Sequence, residues 1–174
     1  MKNIFIGFIF IFLDFHLSLG NSKIGLIPDF VGYIIMINGL MEMSGQSMRF
    51  MKVKPYASGM AVYSGLLYVL DLMGISVSLG VLTYIFAIIS TAVSLYISYN
   101  IVMGVIEMEE KYSVRLNGDS LKSTWTFIAV LDVLSFVLLL IPPAAFICMI
   151  LSFIAAIFFL FAFNNSKNLY YNLG

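Results

Sequence analysis

The sequence predicts an all-α fold, a polytopic membrane bundle of six transmembrane helices. Of 174 residues, 61% are hydrophobic and 10% are charged, whereas about 25% are charged in a typical soluble domain. A soluble chain of this size needs a polar surface, and this composition cannot supply one. The apolar residues fall in long runs rather than in the alternating pattern of membrane β-strands. Helices are the other backbone structure that satisfies its own hydrogen bonds in lipid.

Each predicted helix corresponds to an apolar run close to the length that crosses a bilayer. About 20 mostly apolar residues span the hydrocarbon layer, with a range of roughly 17 to 25. The first run resembles a signal peptide, but Asp14 and His16 interrupt it and no small-x-small cleavage pattern follows, so we expect a retained helix. The six runs are 4–19, 24–43, 56–73 with an extension to 79, 81–106, 124–141 and 144–163.

The connections group the helices into three hairpins within a single transmembrane domain, residues 1–174. Tight connections at 20–23, 74–80 and 142–143 alternate with long, charged connections at 42–55 and 107–123. Within the first long connection, residues 48–54 mix bases with large apolar side chains. This mixture fits either a positively charged loop or a segment that lies on an anionic membrane surface. The predicted hairpins are approximately 1–45, 56–107 and 120–164.

Basic residues lie almost entirely on one side of the predicted bundle. Positively charged loops stay cytoplasmic, so this side is expected to be the inner one, with both termini. Tyrosines at the outer ends of the spans, Tyr33 and Tyr84, fit an interfacial aromatic belt. Only Lys23 lies on the outer side; the eight inner bases are Lys2, Arg49, Lys52, Lys54, Lys111, Arg115, Lys122 and Lys167.

Three acids, Asp14, Asp71 and Asp132, interrupt the first, third and fifth runs. Each follows a leucine between apolar neighbours, and the spacings of 57 and 61 residues fit three parallel repeats of a helical hairpin. Such repeats would bring the three acids together around one axis at similar depth. A short match is also expected by chance where Leu and Val are so frequent, so the threefold repeat and coincidence both remain open.

An ionised Asp at the centre of a transmembrane helix costs about 2.5 to 3.5 kcal/mol, which makes Asp14, Asp71 and Asp132 the candidate site residues. No Lys or Arg lies within a span to pair with them. Protonation or a bound cation would then balance the carboxylates, as in a proton or ion path. The alternative is a local role, in which each acid reaches water or hydrogen-bonds a neighbouring helix. Asp71 fits this role best, because it lies close to Gly74 at the tight connection 74–80.

Small residues predict where helices approach closely. Ala87, Thr91, Ser94 and Ser98 form a stripe on the fourth helix, and Ala144, Cys148, Ser152 and Ala155 or Ala156 form one on the sixth. Packing rather than hydrophobicity drives helix association in lipid, so such stripes usually mark helix contacts.

Catalytic motifs are missing, so the sequence predicts neither an enzyme nor a cofactor or metal site. The only histidine, His16, is two residues from Asp14, and residues at this spacing lie on different faces of a helix. His-Glu-x-x-His, Walker A and dinucleotide-binding patterns do not occur, and Cys148 is the only cysteine. Zero formal net charge also gives no overall basic field for a nucleic acid partner.

The segment Leu26-Ile27-Pro28-Asp29-Phe30, followed by Val31-Gly32-Tyr33, resembles small six-helix bacterial membrane proteins that have no assigned function. This resemblance covers the first hairpin and implies a multi-pass protein of the bacterial plasma membrane. In size and helix number the chain is also similar to the substrate-binding subunits of energy-coupling-factor vitamin transporters, which implies capture of a small solute. Its first helix lacks their Ala-x-x-x-Ala docking face.

Two functions follow from these observations. The one that the sequence favours is a small transport component whose acidic site responds to a proton or cation. The alternative is a non-catalytic structural or regulatory protein whose partners, besides the lipid bilayer, are another membrane protein or a second copy. Convergence of the three acids would favour the first function, and separate positions between helices would favour the second.

Overall fold

The computed structural model describes residues 1–12, 16–19, 22–25, 28–73 and 81–173. Within these ranges the predicted all-α fold with six helices is confirmed. The helices are α1 Lys2–Phe12, α2 Asp29–Glu42, α3 Met48–Leu72, α4 Val81–Tyr112, α5 Gly118–Val137 and α6 Pro142–Tyr171. A 3-10 turn, Leu138–Leu140, follows α5, and an antiparallel ribbon of two short strands, β1 His16–Leu19 and β2 Ser22–Gly25, lies between α1 and α2.

The first predicted hairpin differs from the observed one at its outer end. α1 ends at Phe12 instead of continuing to residue 19, and α2 begins at Asp29 instead of residue 24. The strands occupy part of both expected helices, with Leu17 paired to Ile24. Pro28 explains the late start of α2, because it is extended (φ −70°, ψ 125°) and disfavours a helical residue before it.

The two long charged connections are mostly helical. Only residues 43–47 separate α2 from α3, and only 113–117 separate α4 from α5. The basic segment 48–54 therefore forms the first turns of α3 rather than a loop. Hydropathy marks the part of a helix that is apolar, whereas Lys, Arg, Met and Glu continue a helix well beyond it.

Three helical stretches in the described part of the chain are long and apolar enough to cross a membrane: Tyr84–Tyr112, Gly118–Leu140 and Pro142–Tyr171. α1 is apolar, but its 11 residues extend only about 16 Å. α2 has 14 residues and extends about 21 Å, also less than the ~30 Å hydrocarbon layer. α3 has 25 residues, but its basic first turns make it less apolar on average than the other five helices.

The six helices form a closed ring in chain order. Each helix packs against its neighbours in sequence, and α6 packs against α1. Short connections enforce this antiparallel arrangement. One end of the ring, which we call the basic end, holds the starts of α1, α3 and α5, the ends of α2, α4 and α6, and all eight predicted inner bases. Hydrogen bonds from Asn3 to Glu42 (2.5 Å) and from Tyr112 to Gln46 (2.6 Å) join these helix ends.

The tightly packed core lies toward the basic end. The outer half of the ring exposes large apolar side chains instead, among them Leu140, which is 93% exposed. Lipid is the solvent that suits such a surface. Among the largest fully buried side chains are Ile4, Phe8, Met36, Phe50, Ile97, Ile101, Met108 and Phe159.

Candidate functional site

Asp132 is the predicted site residue whose surroundings the structure describes. It lies in α5, where its Oδ1 accepts a hydrogen bond from Ser152 Oγ of α6 at 2.5 Å. Asp14 lies outside the described residues. Asp71 lies in the last turn of α3, and its side chain is outside the described part. Convergence of all three acids stays a prediction.

The helix that carries Asp71 is not a neighbour of the helix that carries Asp132. α4 lies between α3 and α5 in the ring. Tyr56 of α3 and Trp125 of α5 contact α4 at residues 96 and 98, so these two positions lie at nearly the same level. Asp71 is 15 residues beyond Tyr56, about 22 Å, and Asp132 is 7 residues beyond Trp125, about 10 Å. The helix rise therefore places Asp71 about 12 Å nearer the outer end than Asp132.

The small residues of α6 bring α5 close enough for the bond between Asp132 and Ser152. Cys148, Ser152 and Ala156 are buried at four-residue spacing, as predicted for this stripe, and Ala145 extends it by one turn. Ala155 lies instead beside a groove on the outer surface of α5 and α6. A hydroxyl on a close-packed face can donate across a helix contact without opening a gap.

The small-residue stripe of α4 also contains specific polar contacts. The Ser94 and Tyr33 hydroxyls lie 2.7 Å apart, and Trp125 Nε1 donates to Ser98 Oγ at 3.0 Å. Tyr33 is 3% exposed, so its assignment to an interfacial aromatic belt is wrong. Its side chain reaches from α2 to α4, which are not neighbours in the ring, so it crosses the bundle interior. No local sequence pattern signals a partner on a distant helix.

A charged cluster joins α3 to α4 at the basic end. Arg49 pairs with Glu107, whose second carboxylate oxygen accepts from Ser47 Oγ at 2.6 Å. Asn100 Oδ1 accepts a long bond of 3.4 Å from Arg49. The Arg49 and Glu107 side chains are 32% and 40% exposed, and ion pairs at such sites contribute about 0 to 1 kcal/mol. The cluster therefore aligns the helices more than it stabilises them.

Glu109 joins α4 to α5 in a way that sequence reasoning missed. The sequence predicts that residues 107–123 form a connection, but Glu109 lies in the last turns of α4. Its Oε1 accepts backbone N–H bonds from Leu116 at 2.5 Å and Gly118 at 3.1 Å. The only sequence signal for this role of Glu109 was its position shortly before the Asn117-Gly118 turn. Asn117 has the left-handed backbone conformation (φ 66°) that is typical of such a turn. Glu109 thus places negative charge at the N-terminus of α5, where the helix dipole favours it.

Open grooves lie on the surface of the described part of the chain. A polar groove of 590 Å³ at the basic end includes Glu109, Arg115 and Asp119. Apolar grooves of 390 Å³ and 440 Å³ run between α3 and α4 and between α5 and α6. Within the described part of the chain, no group of three His, Cys, Asp or Glu side chains is placed to hold a metal ion.

Comparison with known proteins gives no relative from which a function transfers. No family model, no curated protein and no solved structure matches the chain. The similarity of the first hairpin to small bacterial membrane proteins therefore stays an expectation from the sequence. The contact between Asp132 of α5 and Ser152 of α6 is the structural feature that bears most directly on function.

Proposed function

We propose that this chain is a non-catalytic integral membrane protein with a structural or regulatory role, which binds another membrane protein through its apolar outer surface. One observation carries the proposal: Asp132 bonds Ser152 of the adjacent helix, so its carboxyl group serves a helix contact. The different depths of Asp71 and Asp132 on non-adjacent helices also favour separate local roles for the acids. Exposed apolar side chains such as Leu140 need cover from lipid or a partner.

Asparagine and alanine at position 132 distinguish a packing role from a proton or cation site. Asp132→Asn keeps an oxygen that accepts from Ser152, so we expect a melting temperature close to wild type in detergent at every pH from 5 to 8. Asp132→Ala leaves the Ser152 hydroxyl without its partner and is expected to cost about 0.6 kcal/mol, up to roughly 1.7. Ser152→Ala provides the reciprocal control, and the double alanine variant should cost little more than either single change.

The second candidate, a small transport component, is favoured by a carboxyl group within the apolar run 124–141, which has no Lys or Arg. It would be supported over the first if Asp132→Asn abolished a pH-dependent or cation-dependent change in stability, or proton uptake into liposomes. Loss of that dependence in the asparagine variant, with normal folding, would contradict a purely structural role for the carboxyl group.

For the topology, we propose that all six helices are embedded in a bacterial plasma membrane, with both termini cytoplasmic. The eight bases at one end of the ring orient it, since basic flanks stay cytoplasmic. Reporter fusions after Lys52, Lys111 and Lys167 are expected to give cytoplasmic signals, and fusions after Lys23 and Gly74 external ones. Either of the outer fusions reporting the cytoplasm would mean that its hairpin enters the membrane without crossing it.

A further inference from the structure

The apolar groove between α3 and α4 begins about one helical turn after a base of α3. Tyr56, Gly59 and Tyr63 line it from α3, and Phe86, Ile89 and Ser90 line it from α4. The Tyr63 and Phe86 ring centres are 6.5 Å apart, and both rings line the end of the groove that is farther from the basic end. From Tyr56 to Tyr63 the helix rises about 10 Å. This part of the groove therefore forms an elongated apolar slot along the helix axis.

Lys52 is the base that lies one helical turn before this slot. It precedes Tyr56, Gly59 and Tyr63 by 4, 7 and 11 residues, so all four lie on one stripe of α3. Its Nζ lies 6.0 Å from the centre of the Tyr96 ring, which meets the Tyr56 ring at 5.0 Å. Together these contacts place the ammonium group above the aromatic pair and the apolar slot below it.

The charge of Lys52 is not neutralised within the described part of the chain. The ion pair of this region joins Arg49 to Glu107 instead. Lys54 lies two residues further along α3 and so projects from a different face of the helix. Lys52 is exposed, and the cation–π contact with Tyr96 leaves its hydrogen-bond donors available.

We propose that this groove binds an anionic phospholipid of the leaflet at the basic end, with its phosphate on Lys52 and an acyl chain in the slot between Tyr56 and Tyr63. A base above a narrow apolar groove matches the two halves of such a lipid. The hydroxyl of Ser90 is already bonded to the Ala87 carbonyl at 2.9 Å, so the slot presents little unsatisfied polarity to an acyl chain. The proposal rests on membrane location and is independent of the role of Asp132.

Gly59 provides a direct way to fill the slot. A Cβ at this position would meet nothing within 4 Å, so a larger side chain enters the groove without displacing the backbone. Gly59→Leu should therefore block an acyl chain while the bundle stays folded. Val62→Leu is the matched control, because Val62 is exposed on the same helix outside the groove.

The test titrates purified full-length protein in detergent with phosphatidylglycerol or phosphatidylcholine and counts bound lipids by native mass spectrometry. Wild type is expected to bind phosphatidylglycerol about fivefold more tightly, the contribution of one base at a membrane surface. Lys52→Gln should abolish this preference. Gly59→Leu should weaken the binding of both lipids about tenfold, because the acyl chain is no longer buried in the slot. Lys54→Gln and Val62→Leu should bind like wild type.

Several results would overturn the proposal. Equal losses in Lys52→Gln and Lys54→Gln would indicate general surface charge, and wild-type binding by Gly59→Leu would exclude the slot. Equal affinities of the wild type for the two lipids would indicate ordinary surrounding lipid. Melting temperatures of all variants report folding, and recovery of the wild type in the membrane fraction reports its location separately.

Discussion

Replacing Gly39 with alanine is expected to separate α1 from α2 and to lower the free energy of unfolding by about 1 to 3 kcal/mol. A Cβ at Gly39 would lie 2.6 Å from the backbone nitrogen of Ile4, and one at Gly7 would lie 2.8 Å from the carbonyl oxygen of Gly32. Backbone atoms of a neighbouring helix cannot move aside as a flexible side chain does. The clash should outweigh the roughly 1 kcal/mol by which alanine favours a helix over glycine.

Gly59→Ala is the matched control for this prediction, because it makes the same change in α3 where the added methyl group meets nothing within 4 Å. Its free energy of unfolding should stay the same or rise by up to about 1 kcal/mol. Thermal unfolding in detergent measures both variants. If Gly39→Ala melted with or above Gly59→Ala, the close approach of α1 and α2 would be refuted.

Replacing Glu109 with alanine is expected to cost roughly 2 to 4 kcal/mol, because two buried backbone donors lose a charged acceptor. These donors are the N–H groups of Leu116 and Gly118 at the start of α5. Leu116 is 0% exposed, so water replaces the carboxylate poorly. Glu109→Gln, which keeps one acceptor oxygen but loses the charge, should fall between alanine and wild type.

Glu110→Ala is the control, since Glu110 is the exposed neighbour in the same helix. A surface change of this kind is expected within about 0.5 kcal/mol of wild type. Amide hydrogen exchange supplies a second readout, because the first turn of α5 should lose protection in Glu109→Ala alone. Similar stability and protection in the two alanine variants would show that the carboxylate does not hold this turn.

The sequence singled out Asp132 as a candidate site residue and placed Ser152 in a packing stripe. The desolvation cost of an acid within a span singled out Asp132, and small-residue spacing singled out Ser152. Their bond was not predictable, because the rotation of α5 against α6 decides which side chains meet. The contact of Tyr33 was not predictable either. Its residue type and its position in the chain suited an aromatic belt, although its hydroxyl lies 2.7 Å from that of Ser94.

Helix ends were predicted less well than helix centres, for a physical reason. Apolar runs indicate the part of a helix whose side chains face lipid or the core. Each run therefore overlaps the apolar central part of its helix but does not mark where the helix begins or ends. α3 begins at Met48 and α4 ends at Tyr112 because charged residues continue a helix beyond the apolar layer. α1 ends at Phe12, and the strand His16–Leu19 follows with alternating polar and apolar residues, a pattern of four residues that is too short to distinguish from the end of an apolar helix.

The sequence by itself determined the apolar composition suited to lipid, the six helices and the segregation of eight bases to one side, because these depend on composition and order along the chain. Tertiary structure alone decided that the helices close into a ring, that Gly39 contacts the α1 backbone and that Asp132 meets Ser152. Such contacts depend on the rotation and depth of each helix, which are set by interlocking side chains and backbone groups from different parts of the chain.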